Sequence, residues 1–364
     1  MEKDLKSPAQ LMPLENTIKE VYQQPEVVDS ALRNNHNSVC ELAKKIIDED
    51  IKKILIVGSG DSMFMGLSVQ QAFHSYSGIT CSVKQAYEYA VFGEIESNDI
   101  AIFVVSSSGR ISTTRDALNR ALNSSALVVG VTDNRNEENP FFSLPKYVLV
   151  PGGQKIGWPT QTTTSTIAIF IDLAIQIGKL SGNLEEKQVN NLYENLMEIP
   201  LLMQHVLDKN SLIMRQIAEK FVGRKSIYFI GSGPGYGVAN IGGALMAEGP
   251  QKIGIPLYVE EFHHSLRINT VDPDMPIFLI APNDPAFSRY LDTVSSGKKW
   301  GGYLIAITDS EEEYIFSNVN SSIIIPKVPY QMSPLLSVLP LHLFCIELTQ
   351  MVVKMGHLRP WYSV

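Results

Sequence analysis

Three serines and a glycine, Ser106 to Gly109, form the stretch of this sequence best suited to hold an anion. They follow the apolar run Ile102 to Val105, which predicts a strand buried on both faces of a parallel sheet. A helix is predicted to begin near Ser112 or Thr113, and backbone amides at a helix N-terminus attract negative charge. Hydroxyls and amides therefore converge where a phosphate could bind, although the serines could equally serve only to cap the helix.

A second pair of side chains could move protons. Glu248 ends a predicted helix just before Gly249, and His264 follows 16 residues after Glu248, beside His263. A carboxylate and a neutral imidazole near one bound sugar phosphate could act as base and acid on the sugar. The plain alternative is a solvated glutamate at a helix end and two surface histidines.

The elements that would position these residues alternate along the chain. Apolar runs predict strands near residues 54–57, 79–83, 102–105, 126–131 and 147–150, with helices near 63–75, 113–123 and 162–177. This alternation predicts an α/β fold with a doubly wound parallel sheet. The first 50 residues are predicted to be helical and peripheral, with a break at Gln23-Gln24-Pro25.

The same order of motifs then repeats. The sequence I-L-I-V-G-S-G at Ile54 recurs as I-Y-F-I-G-S-G at Ile227, and A-I-F-V-V-S at Ala101 recurs as P-I-F-L-I-A at Pro276. Three further matches keep the order, with offsets of 173 to 176 residues. We therefore predict a tandem duplication of one flavodoxin-like parallel-sheet unit, whose ligands bind at the carboxyl ends of the strands. The predicted segments are an N-terminal helical segment 1–50, a first unit 51–180, a helical connector 181–209 and a second unit 210–364.

Composition excludes several classes of function. The net charge of −8 and the absence of a basic run argue against nucleic acid as a partner. The three cysteines are scattered and form no C-x-x-C motif, so no disulfide framework or metal site is predicted and a reducing cytoplasm is expected. No apolar leader is present, and the run Ile167–Ile177 is too short to span a bilayer, so no membrane is expected. The turn after Ile230 loosely matches a dinucleotide fingerprint, but the duplication argues against a cofactor domain in one half, and no cofactor is predicted.

The duplication, the serine loop and the spacing of Glu248 and His264 together resemble the sugar isomerase (SIS) family. Within that family the chain is similar to the isomerase half of glucosamine-fructose-6-phosphate aminotransferase and to its stand-alone deglycase, deaminase and isomerase relatives. The resemblance covers roughly residues 20 to 364. It implies a small-molecule sugar phosphate as substrate and a homodimer with shared active sites.

The resemblance also implies a set of site residues. In this family a G-T-S turn and an S-x-S-G-x-T loop hold the substrate phosphate, and a Ser/Thr-rich segment before a long helix adds contacts. The matching substrate-binding residues here are Gly60, Ser62, Ser106, Ser107, Ser108, Ser112 and Thr160. Glu248 falls on the family's proton-shuttling glutamate, and His264 falls on its ring-opening histidine, which in some members reaches into the partner subunit's site.

Several positions depart from the family pattern. Asp61 and Ile111 replace hydroxyl-bearing residues, and Ile241 and Leu245 replace an acid and a lysine. The tail from His357 offers no counterpart to the aminotransferase's C-terminal lysine. Residue 2 is not cysteine and no glutaminase domain is expected before residue 20, so no glutaminase activity is expected. The alternatives that remain are a phosphosugar isomerase, a sugar-phosphate deglycase or amino-sugar phosphate deaminase, and a non-catalytic sugar-phosphate sensor.

Overall fold

A computed structural model describes residues 8–94 and 96–356 of the chain. It contains two five-stranded sheets in which every paired strand is parallel. The strands are β1 (Lys53–Gly58), β2 (Thr80–Gln85), β3 (Ile100–Val105), β4 (Leu127–Val131), β5 (Tyr147–Leu149), β6 (Ser226–Gly231), β7 (Ile253–Tyr258), β8 (Pro276–Ile280), β9 (Tyr303–Thr308) and β10 (Ser321–Ile324). The first seven residues, which entered the argument about glutaminase activity, lie outside the described residues, as does the tail from His357.

Helices connect the strands and extend beyond them. They are α1 (Pro8–Asp48), α2 (Asp61–Ala72), α3 (Ala86–Phe92), α4 (Ser112–Leu122), α5 (Pro140–Ser143), α6 (Gln161–Ser181), α7 (Glu186–Phe221), α8 (Pro234–Glu248), α9 (Phe287–Lys299), α10 (Glu313–Asn318), α11 (Pro334–Ser337) and α12 (Leu339–Lys354). A π-helical turn, Phe73–Ser77, extends α2, and a 3-10 helix spans His264–Thr270.

The strand order confirms the predicted duplication. The first sheet runs β2-β1-β3-β4-β5 and the second runs β7-β6-β8-β9-β10, so both have the same flavodoxin-like topology. The turns after β1 and β6 also match in backbone conformation, with Gly60 at φ 55° and ψ −132° and Gly233 at φ 48° and ψ −128°. Only glycine adopts this conformation readily, which explains why the glycine-rich turn occurs in both halves.

The described residues fall into two compact units. The first unit consists of Gln24–Lys155 and Gln161–Pro200, and the second of the described chain up to Gln23, Ile156–Thr160 and the chain from Leu201 onward. These divisions fall at other residues than the segment boundaries drawn from the sequence. One reason is that α7 is a single helix of 36 residues, which runs on past residue 209.

The N-terminal segment is helical as predicted, but it is neither broken nor peripheral. Helix α1 continues through Pro25 for 41 residues, and the side chains of Val21, Val28 and Val39 are fully buried. Apolar residues recur along it at helical spacing, so its burial in the core outweighs the cost of an internal proline.

The sheets carry the apolar cores. All six residues of β3 are buried, as the apolar run predicted, and the β3 residues Ile102 and Val104 pack with Leu118 of α4 and Phe141 of α5. In the second unit Ile277 and Leu279 pack against Tyr290 of α9. Parallel sheets covered on both faces in this way hold their strand ends rigidly, and the loops at those ends can present side chains to a ligand.

Among the described helices, Gln161–Ser181 and Pro334–Lys354 are long and apolar enough to cross a membrane. Most of each apolar window, 89% and 78%, is buried inside the structure. Core helices of globular proteins pass the same test of length and composition, so these two helices are weak evidence for a membrane span.

Candidate functional site

The serine loop connects β3 to α4 and is folded by its own hydroxyls. Ser106 Oγ accepts a hydrogen bond from the Gly109 amide at 3.2 Å, and Ser108 Oγ accepts one from the Arg110 amide at 3.3 Å. Gly109 has a φ of +68°, and a Cβ at this position would lie 2.0 Å from Asn139 Oδ1. The loop therefore requires glycine for two independent reasons, backbone conformation and space.

Residues that follow β4 support the serine loop through hydrogen bonds to its carbonyl oxygens. The Ser107 carbonyl accepts hydrogen bonds from the Thr132 hydroxyl and the Asp133 amide, both at 3.1 Å. The Ser108 carbonyl accepts one from Asn134 Nδ2 at 3.0 Å. Sequence reasoning found the T-D motif at Thr132 only as part of the repeat and missed this supporting role. Since these bonds occupy loop carbonyls, they fix the backbone that presents the serines.

Asp133 is a buried carboxyl within this support. It accepts hydrogen bonds from the Ser107 hydroxyl and from the Gly153 amide, the latter at 2.9 Å. Burial raises its pKa to about 6, and the hydrogen bonds oppose part of that rise. Near neutral pH the Ser107 hydroxyl is therefore directed toward a carboxylate, which restricts its orientation.

Helix α4 begins directly after the serine loop. Its N-cap residue, Ile111, makes no side-chain capping hydrogen bond, and the first helical residue, Ser112, is exposed. A helix start without a capping side chain leaves backbone amides able to bind an anion. The backbone amides at this helix start and the exposed Ser112 are therefore the groups here that could donate to an anion.

The glycine turn after β1 lies at the carboxyl end of the sheet, as the serine loop after β3 does. A Cβ at Gly58 would lie 2.8 Å from Ser62 Cβ, so the first turn of α2 approaches the end of β1 closely. Asp61 Oδ1 is buried and has no hydrogen-bond partner among the described residues. Burial raises the pKa of the Asp61 carboxyl to about 6, and the charge of Lys155 opposes the rise.

The strand order places the two turns next to each other at the carboxyl ends of β1 and β3. From β1 the chain crosses to β2 on one side, and from β3 it crosses to β4 on the other, so the order reverses between the adjacent strands β1 and β3. Ligands of open α/β sheets bind in the crevice at such a reversal. The structure thus brings together at one edge of the first sheet the predicted residues Gly60, Ser62, Ser106, Ser107, Ser108 and Ser112.

The three other predicted residues, Thr160, Glu248 and His264, belong to the second unit. Glu248 is the last residue of α8 and is half-buried. The following residue, Gly249, is enclosed, since a Cβ there would lie 2.6 Å from Thr349 Oγ1 and 3.1 Å from the ring of Trp158. The end of α8 therefore packs against α12 and against the loop that carries Trp158.

Helix α1 anchors that loop, Ile156–Thr160. The carboxylate of Glu20, only 2% exposed, accepts hydrogen bonds from the amides of Ile156 and Gly157. The Trp158 amide donates to Thr17 Oγ1 at 2.9 Å. Thr160 itself is buried. Sequence reasoning missed this anchor, because a buried glutamate in an otherwise apolar helical face is its only sequence signal.

The two adjacent histidines lie in different surroundings. The side chain of His264 is 63% exposed, with Nε2 3.2 Å from Glu260 Oε1. His263 is half-buried, with Nε2 3.0 Å from Thr293 Oγ1, and burial together with the charge of Arg289 lowers its pKa. His264 is therefore the more exposed of the two histidines.

Ile241 and Leu245, which replace charged family residues, are core residues. Both are buried in α8, and the Leu245 carbonyl accepts a hydrogen bond from the Cys345 thiol at 3.3 Å. In the part of the chain that the structure describes, no group of three or more histidine, cysteine or acidic side chains is placed to hold a metal ion.

The chain is similar to a known domain family and to longer curated proteins. The SIS domain model matches residues 48–140 and 220–351. Glutamine–fructose-6-phosphate aminotransferase [isomerizing] of Thermococcus kodakarensis is 25% identical over 335 residues, covering 91% of this chain and 54% of the relative. The Aquifex aeolicus protein of the same name is 26% identical over 333 residues, covering 90% and 53%. The chain spans about half the length of these curated relatives.

Solved structures share the fold. The C-terminal domain of glucosamine-fructose-6-phosphate aminotransferase from Francisella tularensis superposes with a TM-score of 0.84 at 22% identity, covering 93% of this chain and 95% of the other. Tagatose-6-phosphate ketose/aldose isomerase from Escherichia coli gives a TM-score of 0.73 at 16% identity, covering 93% of both chains. At these identities the likeness establishes the common duplicated architecture.

Proposed function

Because this chain belongs to the SIS domain family, we propose that it is a phosphosugar isomerase-type enzyme. Its substrate would be a ketose, aldose or amino-sugar phosphate of the fructose-6-phosphate or glucosamine-6-phosphate class, and the reaction a proton transfer between C1 and C2. One observation carries the proposal. At the carboxyl ends of the adjacent strands β1 and β3, where the strand order reverses, serine hydroxyls lie beside the start of α4, which has no capping side chain.

The phosphate would bind at these strand ends. Ser62, Ser106 and Ser108 supply hydroxyls, and the first amides of α4 supply donors aligned with the helix dipole. The Ser107 hydroxyl already donates to Asp133, so Ser107 would contribute through its position in the loop. The hydroxyl oxygens of Ser106 and Ser108 each accept a hydrogen bond from a loop amide. Their hydroxyl hydrogens can therefore donate to phosphate oxygens. Hydrogen bonds from these donors to a charged phosphate are stronger than hydrogen bonds between two neutral groups.

Glu248 would carry the proton between the two sugar carbons, and His264 would help to open the ring. Glu248 lies at the C-terminal end of α8, where the helix dipole disfavours a negative charge and so favours uptake of a proton. An enediolate-type intermediate also needs positive charge nearby, for which Arg110 and Lys155 are the candidates. His263 is a weaker candidate, because burial and Arg289 favour its neutral form.

Deglycase or deaminase chemistry on an amine-bearing sugar phosphate is the second candidate, and one observation favours it. Asp61 places a buried carboxyl oxygen, which has no hydrogen-bond partner among the described residues, where the resemblance implies a hydroxyl. With a pKa of about 6, this group is largely ionised at neutral pH and could pair with a substrate ammonium group. Ile241 and Leu245 are buried in α8 and would remove charge from the site, which favours the sensor alternative slightly, whereas the presence of both Glu248 and His264 favours the enzyme.

We further propose a homodimer with shared sites, in which His264 serves the partner's site. The support is the family position of His264 together with its exposure to solvent. Mixed dimers of Glu248→Gln and His264→Ala chains should then regain part of the activity that each variant has lost. Mixed dimers that stay inactive would place both residues in the site of one subunit.

A substrate panel tests the function. Turnover of fructose-6-phosphate, glucosamine-6-phosphate and glycated-amine phosphates would separate the isomerase, deaminase and deglycase reactions. A thermal-shift measurement with the same panel reports binding independently of chemistry, since a ligand of the folded state raises its stability. Binding without turnover of any compound would favour the sensor, and absence of binding would overturn the proposal.

A further inference from the structure

The helices of the first unit hold a second cluster of reactive side chains, to which none of the proposed site residues belongs. Cys40 Sγ lies 3.6 Å from His36 Nε2, and His36 Nδ1 lies 3.0 Å from Asp172 Oδ2. The other carboxylate oxygen of Asp172 accepts a hydrogen bond from Gln176 Nε2 at 3.1 Å. A thiol, an imidazole and a carboxylate are thus connected in a continuous series.

Helical spacing produces this geometry. His36 and Cys40 are four residues apart on α1, and Asp172 and Gln176 are four apart on α6, so each pair lies on one helical face. Asp172 is almost fully buried, whereas the imidazole of His36 is 33% exposed. The carboxylate favours the His36 tautomer with the proton on Nδ1, which leaves the Nε2 lone pair facing the thiol. A nucleophile, a base and a group that orients the base are thereby aligned.

We propose that Cys40 is a modification site, at which His36 is the general base and the reagent is a low-molecular-weight disulfide. As Cys40 Sγ attacks one sulfur of the disulfide, its proton moves to His36 Nε2 and the disulfide bond breaks. The departing thiolate takes the proton from His36 and leaves as a thiol. The product is a mixed disulfide on Cys40, and the exchange needs no further oxidant.

The surrounding charges decide how the thiol is activated. Burial, and after it the charge of Asp172, raise the pKa of Cys40, so the resting thiol is protonated. The same carboxylate stabilises His36 once it has accepted a proton. Reactivity therefore depends on proton transfer to His36 during attack rather than on a preformed thiolate. The other titratable groups near the cluster are Lys179, Tyr193 and Arg33.

The first test is a pH profile of the folded full chain. Iodoacetamide serves as the probe, and mass spectrometry of peptides gives the alkylation rate of each cysteine separately. We expect the Cys40 rate to rise below pH 8, ahead of thiol ionisation, because the imidazole of His36 takes the thiol proton during attack. Cys81 and Cys345 are buried and should stay unmodified, which verifies the fold. A single rise above pH 8, following ionisation of a thiol alone, would overturn the proposal.

Variants then distinguish a role of His36 as a general base from a purely structural role. His36→Gln should slow alkylation of Cys40 at pH 7 at least tenfold and abolish the rise near neutrality, and Asp172→Asn should slow it less. Tyr193→Phe keeps the ring that lies 5.3 Å from His36 and should leave the rate unchanged. Oxidised glutathione should form a mixed disulfide on Cys40 faster in the wild type than in His36→Gln. Equal rates in the two proteins would contradict the role of His36, and if His36→Gln unfolds and exposes Cys81, the wild-type profile decides.

Discussion

Glu20 and Gly157 are 137 residues apart in the chain, and the Gly157 amide donates to both carboxylate oxygens of Glu20, at 3.3 and 3.2 Å. The space around Gly157 is closed on the same side, since a Cβ there would lie 2.1 Å from Thr17 Oγ1. Helix α1 therefore fixes the loop that carries Thr160 and places Trp158 beside the end of α8. A residue of the first helix thus positions two parts of the proposed site in the second unit.

Glu20→Gln should disturb this loop. A glutamine side chain presents an amide donor in place of one carboxylate oxygen, so the Gly157 amide loses one of its two acceptors and faces another donor. We expect the free energy of unfolding to fall by about 1–3 kcal/mol and kcat to fall about tenfold through misplacement of the loop. Urea denaturation and steady-state turnover measure the two effects. Glu15→Gln, on the exposed face of the same helix, is the control, and a Glu20→Gln protein that matches it would contradict the positioning role.

The phosphate assignment predicts the effect of removing two hydroxyls. The double variant Ser106→Ala/Ser108→Ala should weaken sugar-phosphate binding by about 1–3 kcal/mol, or roughly 5- to 150-fold in Kd. The fold should persist, because the main-chain support from Thr132 and Asn134 remains. Isothermal titration measures the change, and the exposed Ser125→Ala serves as the control. An unchanged Kd would remove the serine loop from the phosphate site.

A pair of glycine variants isolates the crowding at the serine loop. Gly109 and Gly182 both have a positive φ, but a Cβ at Gly182 meets no atom within 4 Å, whereas at Gly109 it would meet Asn139. Gly182→Ala should cost about 1 kcal/mol through backbone strain alone. Gly109→Ala should cost at least 2 kcal/mol more and weaken ligand binding, since the loop must move. Equal losses of stability in denaturation experiments would mean that Asn139 yields without cost.

The burial of His342 leads us to predict that the free energy of unfolding depends on pH. It is fully buried in α12, its ring nitrogens have no hydrogen-bond partner among the described residues, and burial lowers its pKa to about 3. An unfolded chain binds this proton near pH 6.5, so the contribution of neutral His342 is present above that pH and is lost as the pH falls toward 3.

His342→Leu should therefore flatten the loss of stability in acid. At pH 7 the variant should be as stable as the wild type or about 1–2 kcal/mol more stable, because no unpartnered polar atom remains buried. Its advantage should grow by a few kcal/mol between pH 6.5 and 4. The exposed His205→Gln on α7 should leave the curve unchanged. Parallel curves for His342→Leu and wild type would show that His342 accepts a proton in the folded state without penalty.

The parts of the fold that could be predicted from sequence are those with a local pattern. The runs that became β1 and β3 are continuously apolar because both faces of the sheet are covered, and their recurrence near β6 and β8 identified the duplication. The contacts that support the site had no such pattern. Thr17 bonds an amide 141 residues away, and no local rule links the two.

Pro25 illustrates a local rule that failed. An internal proline predicts the end of a helix, yet the apolar spacing on both sides of Pro25 fits one continuous face of α1. The serine loop illustrates the reverse case. Its serines were recognised from local sequence, whereas the close approach of Asn139 to Gly109 became apparent only from the folded chain.

The central claim is that Glu248 moves a proton on a sugar phosphate, and isotope exchange at C2 tests it most directly. Glu248→Gln keeps the shape of the side chain and removes the base. In deuterated water the wild type should incorporate deuterium at C2 of its substrate. The variant should do so at least about 100-fold more slowly, with binding largely retained. Exchange by the variant at the wild-type rate would contradict the proposed role of Glu248.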